Sequence, residues 1–307
     1  MSKIFKVKVF YENAKTYEYD VEYPKAYINR VIDQQNELEN GPEIDSIYLE
    51  DTIKAKKLGN KLVKVPQKTN RDMSKVRKAI ILAAGKSTRY GSNKLIDPIL
   101  GKSTVQYCIE FCIENGIEDA YVTISKSDFF FKNRNTKLSH PIIESLSKYK
   151  KDINIFYEFQ KEDEYGPGAA IKTWEGKFYE PFLCLFGDNF YKGDIGLAYH
   201  DPNTSVVTYK DYETRARNLQ LATIVEDVVI EKPHGLVNGR YFCGYMIFSK
   251  EAFDNLSSIK LSNRNEYEIT HLINSMENLK FQELDICWYD LTYEQDKKVI
   301  EEILQNC

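Results

Sequence analysis

The chain has 307 residues, of which 29% are charged, and a formal net charge of −4. That length allows one large domain or two smaller ones, each with a sizeable core. The charge balance gives no general case for nucleic-acid binding, and no apolar run approaches the ~20 residues of a membrane helix. The opening MSKIFKVKVF lacks the unbroken apolar core of a signal peptide. None of the six cysteines forms a C-x-x-C pair, and Cys108 and Cys112 sit four apart on a predicted helix, as core-facing thiols do. Reduced thiols and the missing signal together make cytoplasm the expected compartment.

In chain order, Phe5, Val7, Val9 and Tyr11 alternate with polar residues, and so do Tyr17, Tyr19, Val21 and Tyr23. Two period-2 runs around Asn13-Ala14-Lys15 predict an antiparallel hairpin whose polar faces carry opposite charge. A helix over Ala26–Leu38 and a strand over Ile44–Leu49 would complete a small α+β unit at 1–50. Residues 51–77, rich in lysine and poor in aromatics, read as a basic linker rather than a nucleic-acid patch, with Lys61–Val65 a candidate short strand. From Lys78 the pattern alternates: strands at 79–82, Ala120–Ile124, Ile153–Phe159 and Pro181–Phe186, helices at Thr104–Asn115, Pro141–Lys150 and Gly168–Trp174. Such alternation predicts a doubly wound, mostly parallel α/β sheet. After Ser205 come β-rich runs at Val206–Tyr209, Leu219–Ile224, Val228–Glu231 and Tyr241–Phe248, and an amphipathic helix at Tyr293–Gln305.

The stretch Lys78–Tyr107 organises the rest. Ala79-Ile80-Ile81-Leu82 reads as a buried strand. It stops at Ala83-Ala84-Gly85, which let a group approach the backbone closely. Lys86, Ser87, Thr88 and Arg89 follow, then Lys94, Pro98 and Gly101. A strand feeding a small-residue loop with two cations in reach suits a polyphosphate. The Walker and Rossmann patterns both fail on spacing: Ile96 and Ile80 stand where P-loop glycines belong, and no G-x-G-x-x-G follows the strand. What remains, Leu82-Ala83-Ala84-Gly85-Lys86-Ser87-Thr88-Arg89 with Lys94, Pro98 and Gly101-Lys102, resembles the opening motif of the sugar-1-phosphate nucleotidyltransferases. Ser103 replaces their usual proline.

By residue type alone, Asp188, just past the apolar strand Pro181–Phe186 and beside Gly187, could hold Mg²⁺ against phosphates or could serve an ordinary Asp-Asn turn. The resemblance favours magnesium, since Gly187-Asp188-Asn189 looks like the family's G-D-N. It implies a Rossmann-like nucleotidyltransferase domain over 78–307. Its nucleotide site would use residues 82–88, with Gln160 and Gly166 at a pyrimidine base. Its substrate site would use Asn189, Glu231, Lys232 and Gly244. Arg89, Lys94 and Asp188 would be catalytic. The run NEYEITH at 265–271 resembles the family's G-E-x-E-I-T-D, but His271 stands where that pattern places a second magnesium ligand. Imidazole suits Mg²⁺ poorly. Asp188 with phosphates and water, Asp188 with Asp290, or a lost activity are the three outcomes left open.

The implied reaction joins dTTP or UTP to a sugar 1-phosphate and releases pyrophosphate, with no membrane partner and homo-oligomers common in the family. The rivals are a cytidylyltransferase for a phosphate such as phosphocholine, a catalytically dead nucleotide or sugar sensor, and a nucleic-acid or partner arm at 1–77.

Overall fold

The computed structural model describes residues 5–11, 16–21, 44–49, 52–58, 61–64, 75–85, 87, 90, 93–128, 130–131, 138–194, 201–210, 221–231 and 239–306. The chain divides into two compact units, Met1–Arg71 and Asp72–Cys307.

The first unit is an antiparallel sheet of β1 (Phe5–Tyr11), β2 (Thr16–Val21), β3 (Ile44–Leu49), β4 (Thr52–Leu58) and β5 (Lys61–Lys64), in the order β2-β1-β3-β4-β5. The predicted hairpin pairs Val9 with Tyr17 and Val7 with Tyr19, and puts Lys6 opposite Asp20 and Lys8 opposite Glu18. The stretch expected as a linker carries two strands: β4 pairs β3, and β5 pairs β4. Lysines at alternate positions are compatible with a strand, and pairing with β3 rather than composition decides the matter. The predicted helix Ala26–Leu38 and the turn at 13–15 lie outside the described residues.

The second unit contains β6 (Lys78–Ala83), α1 (Thr104–Glu114), β7 (Asp119–Ile124), the short pair β8 (Phe130–Phe131) and β9 (Leu138–Ser139), α2 (Pro141–Leu146), β10 (Asn154–Phe159), α3 (Pro167–Lys172), β11 (Phe182–Phe186) and β12 (Asn189–Lys192). It continues through β13 (Ser205–Lys210), β14 (Thr223–Val225), β15 (Val228–Ile230), β16 (Arg240–Phe248), α4 (Glu251–Leu256), α5 (Ile269–Asn274), β17 (Leu279–Glu283), β18 (Cys287–Asp290) and α6 (Asp296–Asn306). The main sheet runs β10-β7-β6-β11-β16-β13-β17, with the β14–β15 hairpin branching from β16. Its first four strands are parallel, and β16 is antiparallel to both neighbours. The parallel half is the doubly wound part read from the sequence. The elements α4, α5, β12, β17 and β18 were not legible there.

Strand alternation builds the two layers. On one face Ala79, Ile81, Ala83, Val122 and Leu183 pack on α1 and α2 through Val105, Ile109, Cys112 and Ile142. On the other, Ile80, Leu82, Phe182 and Cys184 pack on α3, α4 and α5 through Ile171, Phe253 and Leu272. Burial on both faces explains why β6 and β11 are continuous apolar runs.

A buried polar chain ties α3 to the sheet. Trp174 Nε1 donates to Thr123 Oγ1 at 2.8 Å, and Thr123 Oγ1 donates to the Ala170 oxygen at 2.8 Å. Thr123→Val keeps the shape but strands the indole N–H, which is expected to cost about 1–3 kcal/mol. The check is a lower urea midpoint at unchanged m-value.

Candidate active site

The parallel pairing of β6 with β11 sets Leu82 beside Phe186. The loops that leave the two strand ends therefore lie side by side, and Gly187 N donates to the Leu82 oxygen at 3.0 Å. A Cβ on Gly187 would meet that same oxygen at 2.9 Å, so the turn before Asp188 needs glycine. With the order β10-β7-β6-β11, this is the switch point of an open α/β sheet, where a crevice opens at the strand ends.

Two adjoining cavities open there. The larger, about 310 Å³, is lined by Gly85, Ser87, Tyr90, Lys94, Asp188, Asn189, Glu231, Gly244, Arg264, Glu266, Glu268 and Asp290, among others. The smaller, about 200 Å³, is lined by Leu82, Ala84, Gly85, Lys94, Gln160, Tyr165, Gly166 and Asp188, among others. The structure thus brings together most of the described site residues that the sequence singled out. Ala83 is fully buried in the sheet beneath them. Lys86, Thr88, Arg89 and Lys232 lie outside the described residues.

Lys94 reaches across the site. Its ammonium pairs with Asp188 Oδ2 and donates to the Leu291 oxygen at 2.9 Å. Its main chain is tethered by a 3.4 Å contact from its N–H to Ser87 Oγ, and its carbonyl accepts from Thr104 Oγ1 at 3.4 Å. The turn that follows is closed by a two-residue hairpin, Leu100 and Gly101 at positive φ, with Ile99 and Lys102 exchanging main-chain bonds. Tyr90 donates to Asp97 Oδ2 at 2.8 Å, and Lys297 of α6 pairs with the same carboxylate. Burial and the Asp97 bond push the Tyr90 phenol up to about 12, so it remains a donor.

Asp188 and Asp290 converge. The pairing of β12 with β18 puts Asn189 opposite Asp290. Asn189 Nδ2 donates to Asp188 Oδ1 at 3.1 Å and to Asp290 Oδ1 at 3.0 Å, while its Oδ1 accepts from Trp288 Nε1 at 2.7 Å. One buried amide therefore holds both carboxylates toward the cavity. Thr292 Oγ1 donates to Asp290 Oδ2, and Leu291 N donates to the Asp188 oxygen at 3.1 Å. His271 does not join them. It is exposed on α5, its Nδ1 is 3.3 Å from the Lys260 oxygen, and it is not among the residues lining either cavity. The helix explains this: Ile269, Thr270, Leu272 and Ile273 face inward, and His271 falls on the outer side.

Gln160 is buried, and its Nε2 donates to the Glu164 oxygen at 2.8 Å. Gly166 has φ +105, and a Cβ there would meet the Tyr267 oxygen at 2.7 Å. Gly168 N donates to that oxygen at 2.7 Å, and Tyr267 N to the Tyr165 oxygen at 2.7 Å. The NEYEITH segment is thereby stitched to the glycine-rich turn. Gly244, at φ +62, leaves no room for a Cβ, which would lie 2.4 Å from the Phe186 ring.

Sequence reasoning missed Arg264. Its guanidinium pairs with Glu231 at 2.9 Å, Glu268 at 2.8 Å and Glu266 at 3.7 Å in the wall of the larger cavity. Glu231 is remote in sequence, so only the arginine's place before NEYEITH could have drawn notice. Tyr165, which lines both cavities, was also missed.

No family model matches the chain. It is 30% identical over 236 residues to the bifunctional sugar-1-phosphate nucleotidylyltransferase/acetyltransferase of Sulfurisphaera tokodaii, a match covering 70% of the chain and 52% of that protein. The chain thus spans about half the length of that relative. It is 28% identical over 241 residues to a UTP–glucose-1-phosphate uridylyltransferase of Staphylococcus epidermidis, covering 67% of the chain and 83% of the relative. Among solved structures, a UDP-glucose pyrophosphorylase complexed with UDP-glucose superposes with a TM-score of 0.59 at 20% identity, covering 75% of the chain and 99% of the other. The larger unit has the Rossmann-like nucleotidyltransferase fold. The chain is a homologue of the sugar-1-phosphate nucleotidylyltransferases.

Asn189→Asp would set three carboxyls together. One would hold a proton more tightly than in the unfolded chain, so the folded state binds more protons and stability falls as pH rises. Thermal melts should show a larger deficit against the parent at about pH 8 than at about pH 5; equal deficits would count against charge repulsion as the cause.

Proposed function

We propose that the chain condenses a nucleoside triphosphate with a sugar 1-phosphate, giving a nucleoside-diphosphate sugar and pyrophosphate. The observation that carries this reading is the convergence of Lys94, Asp188 and Asp290 at the ends of β6 and β11, over two cavities that meet there. The smaller cavity suits the base. Gln160 Nε2 donates one hydrogen to the Glu164 oxygen at 2.8 Å, which leaves its carbonyl oxygen and its second N–H to meet a base. An acceptor suits the N3–H of uracil or thymine, so UTP or dTTP is favoured. The larger cavity suits the acceptor. Glu231 would bond sugar hydroxyls, Gly244 lets the sugar approach main chain, and Arg264 holds Glu231 in place while adding positive charge to the wall.

The acceptor phosphate is already an anion, so its oxygen attacks the α-phosphorus without a general base. Lys94 would neutralise charge as it builds on the α-phosphate. Arg89 would hold the departing pyrophosphate, and Lys232 the acceptor phosphate. Two carboxylates with all-oxygen chemistry fit Mg²⁺, which would be completed by phosphate oxygens and water. Among the described residues no group of three or more His, Cys, Asp or Glu side chains forms a closed metal cage. Asp188 and Asp290 would hold the ion, which when bound would screen the phosphates. The departure at His271 then takes no ligand from the cavity.

The decisive experiment is a pyrophosphate-release screen of four triphosphates against sugar 1-phosphates and phosphocholine. Release with UTP or dTTP and a hexose 1-phosphate is expected. Release confined to CTP and phosphocholine would replace the reading, and binding without release would mark a sensor. Lys94→Ala and Asp188→Ala should each lower kcat by at least ~10²-fold; near-normal turnover in either overturns its role.

A further inference from the structure

The proposed transfer depends on where the Asp188 carboxylate stands, and one sulfur lies against the main chain around it. Cys108 lies within α1 and is fully buried. Its Sγ is 3.4 Å from the Asn189 oxygen, 3.6 Å from that of Phe186 and 3.9 Å from that of Gly187. These carbonyls flank Asp188 on both sides. With its neighbours' carbonyls turned inward onto the thiol, the carboxylate between them faces the cavity. Burial, with Cys112 and Asp188 nearby, holds the thiol's pKa well above its ordinary value, so the sulfur keeps its proton and can donate it.

The other supports of this turn come from the sides. Gly187 N bonds to Leu82 at the end of β6, and the Asp188 oxygen accepts from Leu291 after β18. Cys108 brings α1 to three of the turn's carbonyls. We propose that Cys108 is a positioning residue that sets the height of Asp188 over the floor of the cavity, an inference resting on the nucleotidyl transfer proposed above. A small alkyl side chain could occupy much of the same space, but could not bond the carbonyls. The sequence pattern gave Cys108 no role beyond packing.

The test uses the full chain with Cys108→Ala, Cys108→Ser and, as a control, Cys112→Ala one helical turn along and equally buried. Cys108→Ala is expected to lower kcat about tenfold, the scale of a slightly misplaced reacting group, with acceptor KM within about twofold. Cys108→Ser should recover most of that loss, because a hydroxyl also donates. Cys112→Ala should lower the melting temperature and leave kcat unchanged. A second measurement needs no substrate: amide hydrogen exchange in a peptide covering residues 182–192 should quicken in Cys108→Ala and not in Cys112→Ala. Unchanged exchange and kcat in Cys108→Ala, or equal effects from the two alanine variants, overturns the positioning role. Asp188→Ala run alongside separates the two claims: its inactivity beside unaffected Cys108 variants leaves the transferase reading standing, whereas its full activity removes both.

Discussion

The structure depends on the in-register parallel pairing of β6 and β11. Each strand is buried on both faces, so neither can slip by one residue without moving a full set of apolar side chains to the wrong layer. That register brings the small-residue loop after Ala83 and the turn after Phe186 to the same height. The bond from Gly187 to Leu82 fixes their separation. Lys94 and Asp188 follow these two strand ends, while Asp290, Gln160 and the cluster around Arg264 reach the site from other elements.

Among the described residues that line the larger cavity, carboxylates outnumber the cations Lys94 and Arg264. Lys94 lies against Asp188, while Asp290 is held to Asp188 by an uncharged amide. In the wall of the larger cavity one guanidinium faces three glutamates. A planar fork can satisfy several carboxylates at once, which a lysine there could not do with fixed geometry. The cavity is thus lined by anions whose positions are set by shared donors. A phosphate-rich ligand would bring the excess negative charge that calls for a divalent cation.

The sequence made β6, α1, β7 and β11 legible because apolar runs and helical periodicity are local signals; β10, also legible, is a strand with one exposed face. Lys94 and Asp188 were singled out chiefly by the motif resemblance, and the structure sets them side by side. Arg264 was not, because its meaning comes from Glu231, 33 residues away. The ribbon of β12 and β18 was not, because a short strand pairing across about a hundred residues leaves no local period. The place of His271 was not legible for the opposite reason: the motif around it is strong locally, but one step along a helix turns a side chain outward. In the first unit, alternation exposed β1 and β2, the candidate strand at Lys61–Val65 coincides with β5, and lysine density hid β4.

One feature bears on biogenesis. Lys94 and Asp188 are both anchored at Leu291, and the bond from Lys94 spans 197 positions of chain. A nascent polypeptide lacking β18 could assemble the central strands but would leave the ammonium without its carbonyl and Asp188 without one edge of its frame. Closing so long a loop is entropically slow and comes late. During synthesis the ribosome must therefore release almost the whole unit before Lys94, Asp188 and Leu291 can be brought together.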